Sequence, residues 1–72
     1  MRILFINNDG GGFADYRTLE DGVKLNDFLA DSIQYFSPSD YLIRVNREPV
    51  PHDYELQDGD KVSATPTKVD NG

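Results

Sequence analysis

The sequence predicts an α+β fold in which one helix packs across one face of a mixed sheet of four to five strands. Three observations point to it: two β-rich segments flank a glycine-rich turn, one later segment spaces apolar residues as a helix does, and short β-rich segments follow. With 72 residues the chain has room for a single core. We expect residues 1–66 to form this domain and residues 67–72 to be a flexible C-terminal tail.

The N-terminal segments predict a hairpin. Residues 2–6 are β-branched, aromatic and continuously apolar from Ile3 onward, as in a strand at the centre of a sheet. Residues 7–12, Asn-Asn-Asp-Gly-Gly-Gly, tolerate positive φ and predict a turn. A phosphate-binding loop is disfavoured because no Gly-Lys-Ser/Thr ending follows. Residues 13–19 then predict an edge strand with Asp15 and Arg17 facing water.

The middle of the chain predicts the helix. Leu25, Phe28, Leu29 and Ile33 recur at the spacing that places them on one helical face. We place the helix at about residues 26–34, with Asn26 as its N-cap.

The following segment predicts a strand, a tight turn and a short return. Residues 41–45 put Ile43 and Val45 on one face of a strand. Residues 46–47 form the turn, and Arg47 stands where glycine is more comfortable if φ is positive. Residues 48–50 predict a short return strand. It is expected at an edge of the sheet, because Pro49 has no N–H to donate.

Residues 56–60, Leu-Gln-Asp-Gly-Asp, predict a second sharp turn that leads into a last strand at residues 61–65. We expect Leu56 to plug the core and Pro66 to end the strand pairing. Asp58 and Asp60 could be a carboxylate pair, but acceptance of local backbone N–H groups is the favoured interpretation.

The net charge and the residue types limit the classes of partner and cofactor that we expect. Thirteen acidic and seven basic residues give a net charge of −6, which repels nucleic acid and favours basic partner surfaces, although a solvated surface explains the same charge. Cysteine is absent and His52 is the single histidine, predicted to be exposed and passive, so no metal or cofactor is expected. The four tyrosines do not alternate with basic residues as in nucleic-acid grooves.

The length and hydropathy of the chain lead to expectations about its cellular location and about enzymatic activity. The uncharged run at residues 3–8 is far shorter than the roughly 20 apolar residues of a membrane span, and no signal segment precedes it. We therefore expect a cytoplasmic monomer that does not associate with membranes. A core this small leaves little volume for a substrate cleft, so we do not expect an enzyme.

The sheet face opposite the helix is the candidate partner-binding surface. Strand alternation assigns to it Leu4, Ile6, Leu42, Arg44, Ser63 and Thr65. A mixed apolar and polar patch suits protein recognition, and an ordinary half-exposed sheet is the alternative.

Two motifs carry a family resemblance. Residues 45–51, Val-Asn-Arg-Glu-Pro-Val-Pro, and residues 56–62, Leu-Gln-Asp-Gly-Asp-Lys-Val, together with the element order, resemble the sulfur-carrier proteins ThiS and MoaD. The likeness covers nearly the whole chain and is sharpest at residues 42–62. It implies the ubiquitin-like β-grasp fold of that superfamily, and recognition of such domains through the exposed sheet face.

The resemblance also implies a function. In this family an adenylating enzyme of the ubiquitin-activating type, ThiF/MoeB-like, uses ATP and Mg to activate a C-terminal glycine carboxylate. Sulfur then converts the adenylate to a thiocarboxylate or thioester, which serves a downstream synthase of thiamine or molybdopterin biosynthesis. Gly72 is the corresponding residue here, and Asn71 replaces the family's penultimate glycine. The alternative is a ubiquitin-like binding module that is never activated.

Overall fold

The computed structural model describes residues 1–8 and 12–67, whose four strands form one mixed sheet. The strands are β1 (Arg2–Asn7), β2 (Phe13–Thr18), β3 (Tyr41–Val45) and β4 (Lys61–Pro66). One helix, α1 (Leu25–Ser32), and a short 3₁₀ turn, Pro38–Asp40, lie between β2 and β3. The predicted α+β arrangement is confirmed, with the four strands at the lower end of the expected number, and it is compatible with a β-grasp.

The strand order is β2-β1-β4-β3, so that β1 and β4 are central. β1 runs antiparallel to β2 and parallel to β4, and β3 runs antiparallel to β4. The sequence-based placement of β1 at the centre and β2 at an edge is confirmed. The Leu4 N–H donates to the Asp60 carbonyl at 2.9 Å and the Gly59 N–H to the Arg2 carbonyl at 2.8 Å, which joins the second turn to β1.

The core lies between the sheet and α1. Phe5 and Phe28 meet edge to face there, with ring centroids 5.1 Å apart, a geometry that favours aromatic pairs. Leu56 enters the core from the loop before β4, as predicted, and is 2 % exposed. The buried apolar residues are Ile3, Phe5, Leu25, Phe28, Leu29, Ile33, Val45, Leu56, Val62 and Ala64.

The helix starts one residue before its predicted first residue and ends two residues earlier than predicted. Its N-cap is Lys24, not Asn26, and no side chain caps it. Backbone carbonyls satisfy the first N–H groups instead: Leu25 donates to Tyr54 at 2.7 Å and Asn26 to His52 at 3.1 Å. This tertiary contact replaces the local cap that the sequence suggested.

Arg17 is half-buried and not fully exposed to water as predicted. It pairs with buried Ile3, and its guanidinium lies 5.6 Å from the centre of the Phe28 ring, on the helix side of the sheet. Only the exposure of Asp15 is as expected. Because β2 is an edge strand, the Arg17 guanidinium can lie over the aromatic ring and still reach solvent.

The short return strand at residues 48–50 does not form. A single bridge joins Glu48 to Val45, and no strand extends from it. The preceding turn is as predicted, with φ of 53° at Asn46 and 72° at Arg47. Pro49 comes directly after the bridge and has no N–H with which to continue the pairing. Within the described residues, no helix has the length and apolar character needed to span a membrane.

Candidate recognition face and chain end

The register places all six predicted face residues on the side of the sheet away from α1. Residues directly opposite each other across a pair of strands point to the same face. Leu42 lies opposite Thr65, Arg44 opposite Ser63, and Ser63 beside Ile6. Their neighbours Val45, Val62 and Phe5 point the other way, into the core. We call this side of the four strands the outer face.

The outer face combines apolar and polar surface. Leu42 is 44 % exposed, while Leu4 and Ile6 are half-buried. Two hydrogen bonds orient polar groups on it. The Asn8 amide donates to the Thr65 hydroxyl at 3.0 Å, and the Ser63 hydroxyl lies 3.5 Å from the Arg44 carbonyl. The apolar residues are therefore accessible within a surface whose polar groups are already partly satisfied.

The outer face also includes residues that the sequence reading did not assign to it. Tyr16, opposite Leu4, is 62 % exposed, and the Arg2 guanidinium lies 4.5 Å from the centre of its ring. Lys61 lies beside Leu4 on the other side. The alternation of β2 could have indicated Tyr16. The parallel pairing that brings Lys61 to Leu4 joins distant parts of the chain.

The strand pairing ends at Pro66, as predicted, but hydrogen bonding to the rest of the domain continues one residue further. Pro66 lies opposite Tyr41, and the next residue, Thr67, donates its N–H to the Asp40 carbonyl at 3.0 Å. The Thr67 hydroxyl lies 3.4 Å from the Ser39 carbonyl. The backbone is thus held by the 3₁₀ turn through Thr67, the first residue of the predicted tail. The predicted activation residues, Asn71 and Gly72, lie outside the described residues.

A buried carboxylate network, which the sequence reading missed, supports the turn before β4. Asp60 is 5 % exposed, and its side chain accepts three hydrogen bonds of 2.9 Å each. The donors are the Asn46 amide, the Tyr54 hydroxyl and the Gln57 N–H. Asn46 in turn accepts from the Lys61 N–H at 3.0 Å. The network joins the two turns that contain the family-like motifs.

The local environment raises the pKa of Tyr54 above its ordinary value. The hydrogen bond to Asp60 is the main cause, followed by burial and by the negative charge of that carboxylate. The prediction that Asp60 accepts a local backbone N–H is confirmed by its bond to Gln57, but its other two partners are side chains.

Two other residues considered from the sequence, Asp58 and His52, accept hydrogen bonds from backbone N–H groups. Asp58 accepts the Arg2 N–H at 2.8 Å, a partner far away in sequence, not a local one. His52 is exposed, and its carbonyl accepts a helix N–H. Among residues 1–8 and 12–67, no cluster of three or more histidine or acidic residues could hold a metal ion. Residues 9–11 of the predicted glycine-rich turn are outside the description, and Gly12 has a φ of 76°.

No known family model matches the chain, and no curated protein matches its sequence. The resemblance to ThiS and MoaD therefore depends on the two motifs and the element order, and it stays a prediction.

Proposed function

We propose that this chain is a ThiS/MoaD-like sulfur carrier or ubiquitin-like modifier. A partner enzyme of the ubiquitin-activating type binds its outer face and adenylates the Gly72 carboxylate. The observation that carries the proposal is the position of Thr65, which lies on the outer face two residues before the last described residue. A partner bound to this face thus lies next to the start of the C-terminal segment.

The distance to be covered supports the same arrangement. Residues 68–72 follow Thr67, whose N–H is bonded to the 3₁₀ turn, and five residues span at most about 17 Å when fully extended. This is shorter than the roughly 23 Å available if the segment began at Pro66. The active site of the partner must therefore open close to the edge of the outer face.

The chemistry requires little from the chain itself. A Gly72 carboxylate oxygen attacks the α-phosphorus of ATP, and pyrophosphate leaves. A sulfur nucleophile then attacks the acyl carbon, and AMP leaves. Glycine suits this role because it has no Cβ to crowd the attacked carbonyl. The partner enzyme supplies the nucleotide site and the magnesium.

The test uses the full chain, a ThiF/MoeB-like adenylating enzyme, ATP, magnesium and sulfide. Intact-protein mass spectrometry should record the replacement of one C-terminal oxygen by sulfur. Deletion of Gly72 should abolish the gain, and Asn71→Gly, which restores the family's penultimate glycine, should increase its rate. Absence of both a mass gain and covalent conjugates would contradict the carrier proposal.

The second candidate is a recognition module that is never activated. The accessible apolar residues of the outer face favour it, since Leu42 and Tyr16 require no C-terminal chemistry to bind a partner. The two candidates differ in one measurement. If a variant lacking Gly72 keeps the cellular function of the intact chain, the recognition module is supported and the carrier is not.

A further inference from the structure

The outer face has a charge opposite to that of the whole chain. Of its strand residues, all within the described part of the chain, three are basic and none is acidic, although acidic residues outnumber basic ones thirteen to seven overall. The carboxylates of the described residues therefore lie elsewhere, on loops, on the helix side and at strand ends. The outward strand residues are Arg2, Leu4, Ile6, Ala14, Tyr16, Thr18, Leu42, Arg44, Lys61, Ser63 and Thr65.

The three cations form a diagonal row. Arg2 is on β1, Lys61 lies on β4 beside Leu4, and Arg44 lies on β3 opposite Ser63. Each step along the row moves one strand across and two residues along the sheet. With strands about 4.8 Å apart and about 3.3 Å per residue, neighbouring Cα atoms in the row are about 8 Å apart.

These cations are available to an anionic partner. The one ion pair between described residues joins the N-terminal amino group to Asp21, and none of the three takes part in it. The Arg2 guanidinium lies on the Tyr16 ring, which leaves its edge open. Asp58 is the nearby carboxylate at one end of the row, and its Oδ1 already accepts the Arg2 N–H.

A strip of apolar side chains, interrupted on β4 by Ser63, lies along one side of the row. Leu4, Ile6 and Leu42 lie beyond the row toward the end of β4, and Tyr16 flanks Leu4. A cleft of about 220 Å³ opens at the start of the row. Its walls are formed by Arg2, Ile3, Leu4, Tyr16, Asp58, Gly59 and Lys61.

We infer that the outer face docks an extended acidic segment of a partner protein, with carboxylates along Arg2, Lys61 and Arg44 and apolar side chains on the adjacent strip. The inference rests on the proposed recognition through this face, and it names the chemistry of the partner. Alternate residues of an extended segment are about 6.7 Å apart, close to the spacing of the row. Net charge alone favoured a basic partner surface.

The charge distribution favours a short acidic segment over nucleic acid. A charged group acts over about 8 Å at physiological ionic strength, so a segment confined to the face interacts mainly with the three cations. A polynucleotide extends beyond the face and meets the carboxylates that give the chain its charge of −6. The protein partner is therefore the occupant to test first.

The probe is a capped heptapeptide that alternates glutamate with valine or leucine, titrated into the ¹⁵N-labelled full chain. Chemical shifts should change at the outward residues of the four strands, and the affinity should fall about fivefold or more when salt is raised from about 0.05 M to about 0.5 M. The same peptide with lysine in place of glutamate should bind at least about tenfold more weakly.

The matched variants separate this row from overall charge. Arg44→Glu with Lys61→Glu should weaken peptide binding by about tenfold or more, because two attractive pairs become repulsive. Lys24→Glu with Arg17→Glu changes the net charge equally on the helix side of the sheet and should change affinity less than about twofold. The neutral pair Arg44→Gln with Lys61→Gln should bind the peptide with an affinity between these two results. It replaces the charge-reversed pair if that variant no longer gives the NMR spectrum of a folded protein.

Four results would overturn the inference: no saturable shifts on the outer face at millimolar peptide, equal binding of the lysine peptide, unchanged affinity in both Arg44/Lys61 variants, or tighter binding of an eight-residue thymidine oligonucleotide to the same residues. Deletion of Gly72 should leave peptide affinity unchanged. The peptide result and the activation result can therefore fail independently, which separates this inference from the carrier proposal.

Discussion

The buried carboxylate of Asp60 should contribute more to stability than any other charged group among the described residues. Replacing it with alanine leaves three donors, on Asn46, Tyr54 and Gln57, without their acceptor. A donor left unsatisfied costs about 1–3 kcal/mol, and these are only partly buried, so we expect Asp60→Ala to cost about 3–4 kcal/mol. The total stability expected of a domain this size is about 4–11 kcal/mol.

Asp60→Asn is the sharper perturbation. The amide oxygen can keep the Tyr54 and Gln57 bonds at the Oδ2 position, but its NH₂ group then faces the Asn46 amide donor. Asn46 cannot turn to accept without losing the Lys61 N–H that its own oxygen binds. One bond is lost and two lose their charge assistance, so the expected cost is about 2 kcal/mol.

Urea unfolding at neutral pH measures these costs, and a double-mutant cycle isolates their cause. Asn46→Gly removes the opposing donor while keeping a residue that accepts the positive φ of 53°. We call the opposition of the new amide NH₂ group and the Asn46 NH₂ group the donor conflict. If it causes most of the cost, Asp60→Asn should cost at least about 1 kcal/mol less in the Asn46→Gly background. Asp58→Asn is the matched control, because that exposed residue keeps an acceptor for its Arg2 bond, and should cost less than about 0.5 kcal/mol.

Additivity of Asp60→Asn and Asn46→Gly within about 0.3 kcal/mol would refute the donor conflict. Equal costs for the asparagine substitutions at Asp60 and Asp58 would refute the network as a source of stability.

Three further predictions follow from the same structure. The pKa of Tyr54 is raised in the folded state, so its hydrogen bond to Asp60 stabilises the fold below about pH 10 and is lost as pH rises through the folded pKa. The difference in unfolding free energy between wild type and Tyr54→Phe should therefore shrink above about pH 10. A constant difference would count against this linkage. Arg47→Gly should raise the melting temperature by about 2–5 °C, because glycine relieves the strain of a φ of 72°. A lower melting temperature would mean that the entropy gained by the unfolded chain outweighs the relief of this strain. Leu56→Ala should cost about 3 kcal/mol in urea unfolding, since the side chain is 2 % exposed, and a cost below about 1 kcal/mol would show that the loop collapses into the space.

Local patterns predicted those features that depend on neighbours in sequence. Alternation along a strand assigned Leu42 and Arg44 to one side and Ile43 and Val45 to the other, and the structure agrees. Helical spacing identified the buried face of α1, and turn composition predicted the tight turn at residues 46–47 and the bend at Gly59, whose φ is 86°. Side-chain periods of 2 and 3.6 residues follow from backbone geometry alone, so a single sequence is sufficient to read them.

Three features that the sequence did not predict involve residues far apart in the chain. Asp60 is buried because the loop before β4 packs under the turn at Asn46, and α1 starts early because the carbonyls of His52 and Tyr54 reach its first N–H groups. The row of cations exists only because β4 pairs in parallel with β1 and brings Lys61 beside Leu4. Such contacts depend on which strands become neighbours, a choice made by the packing of the whole core and not by any local period.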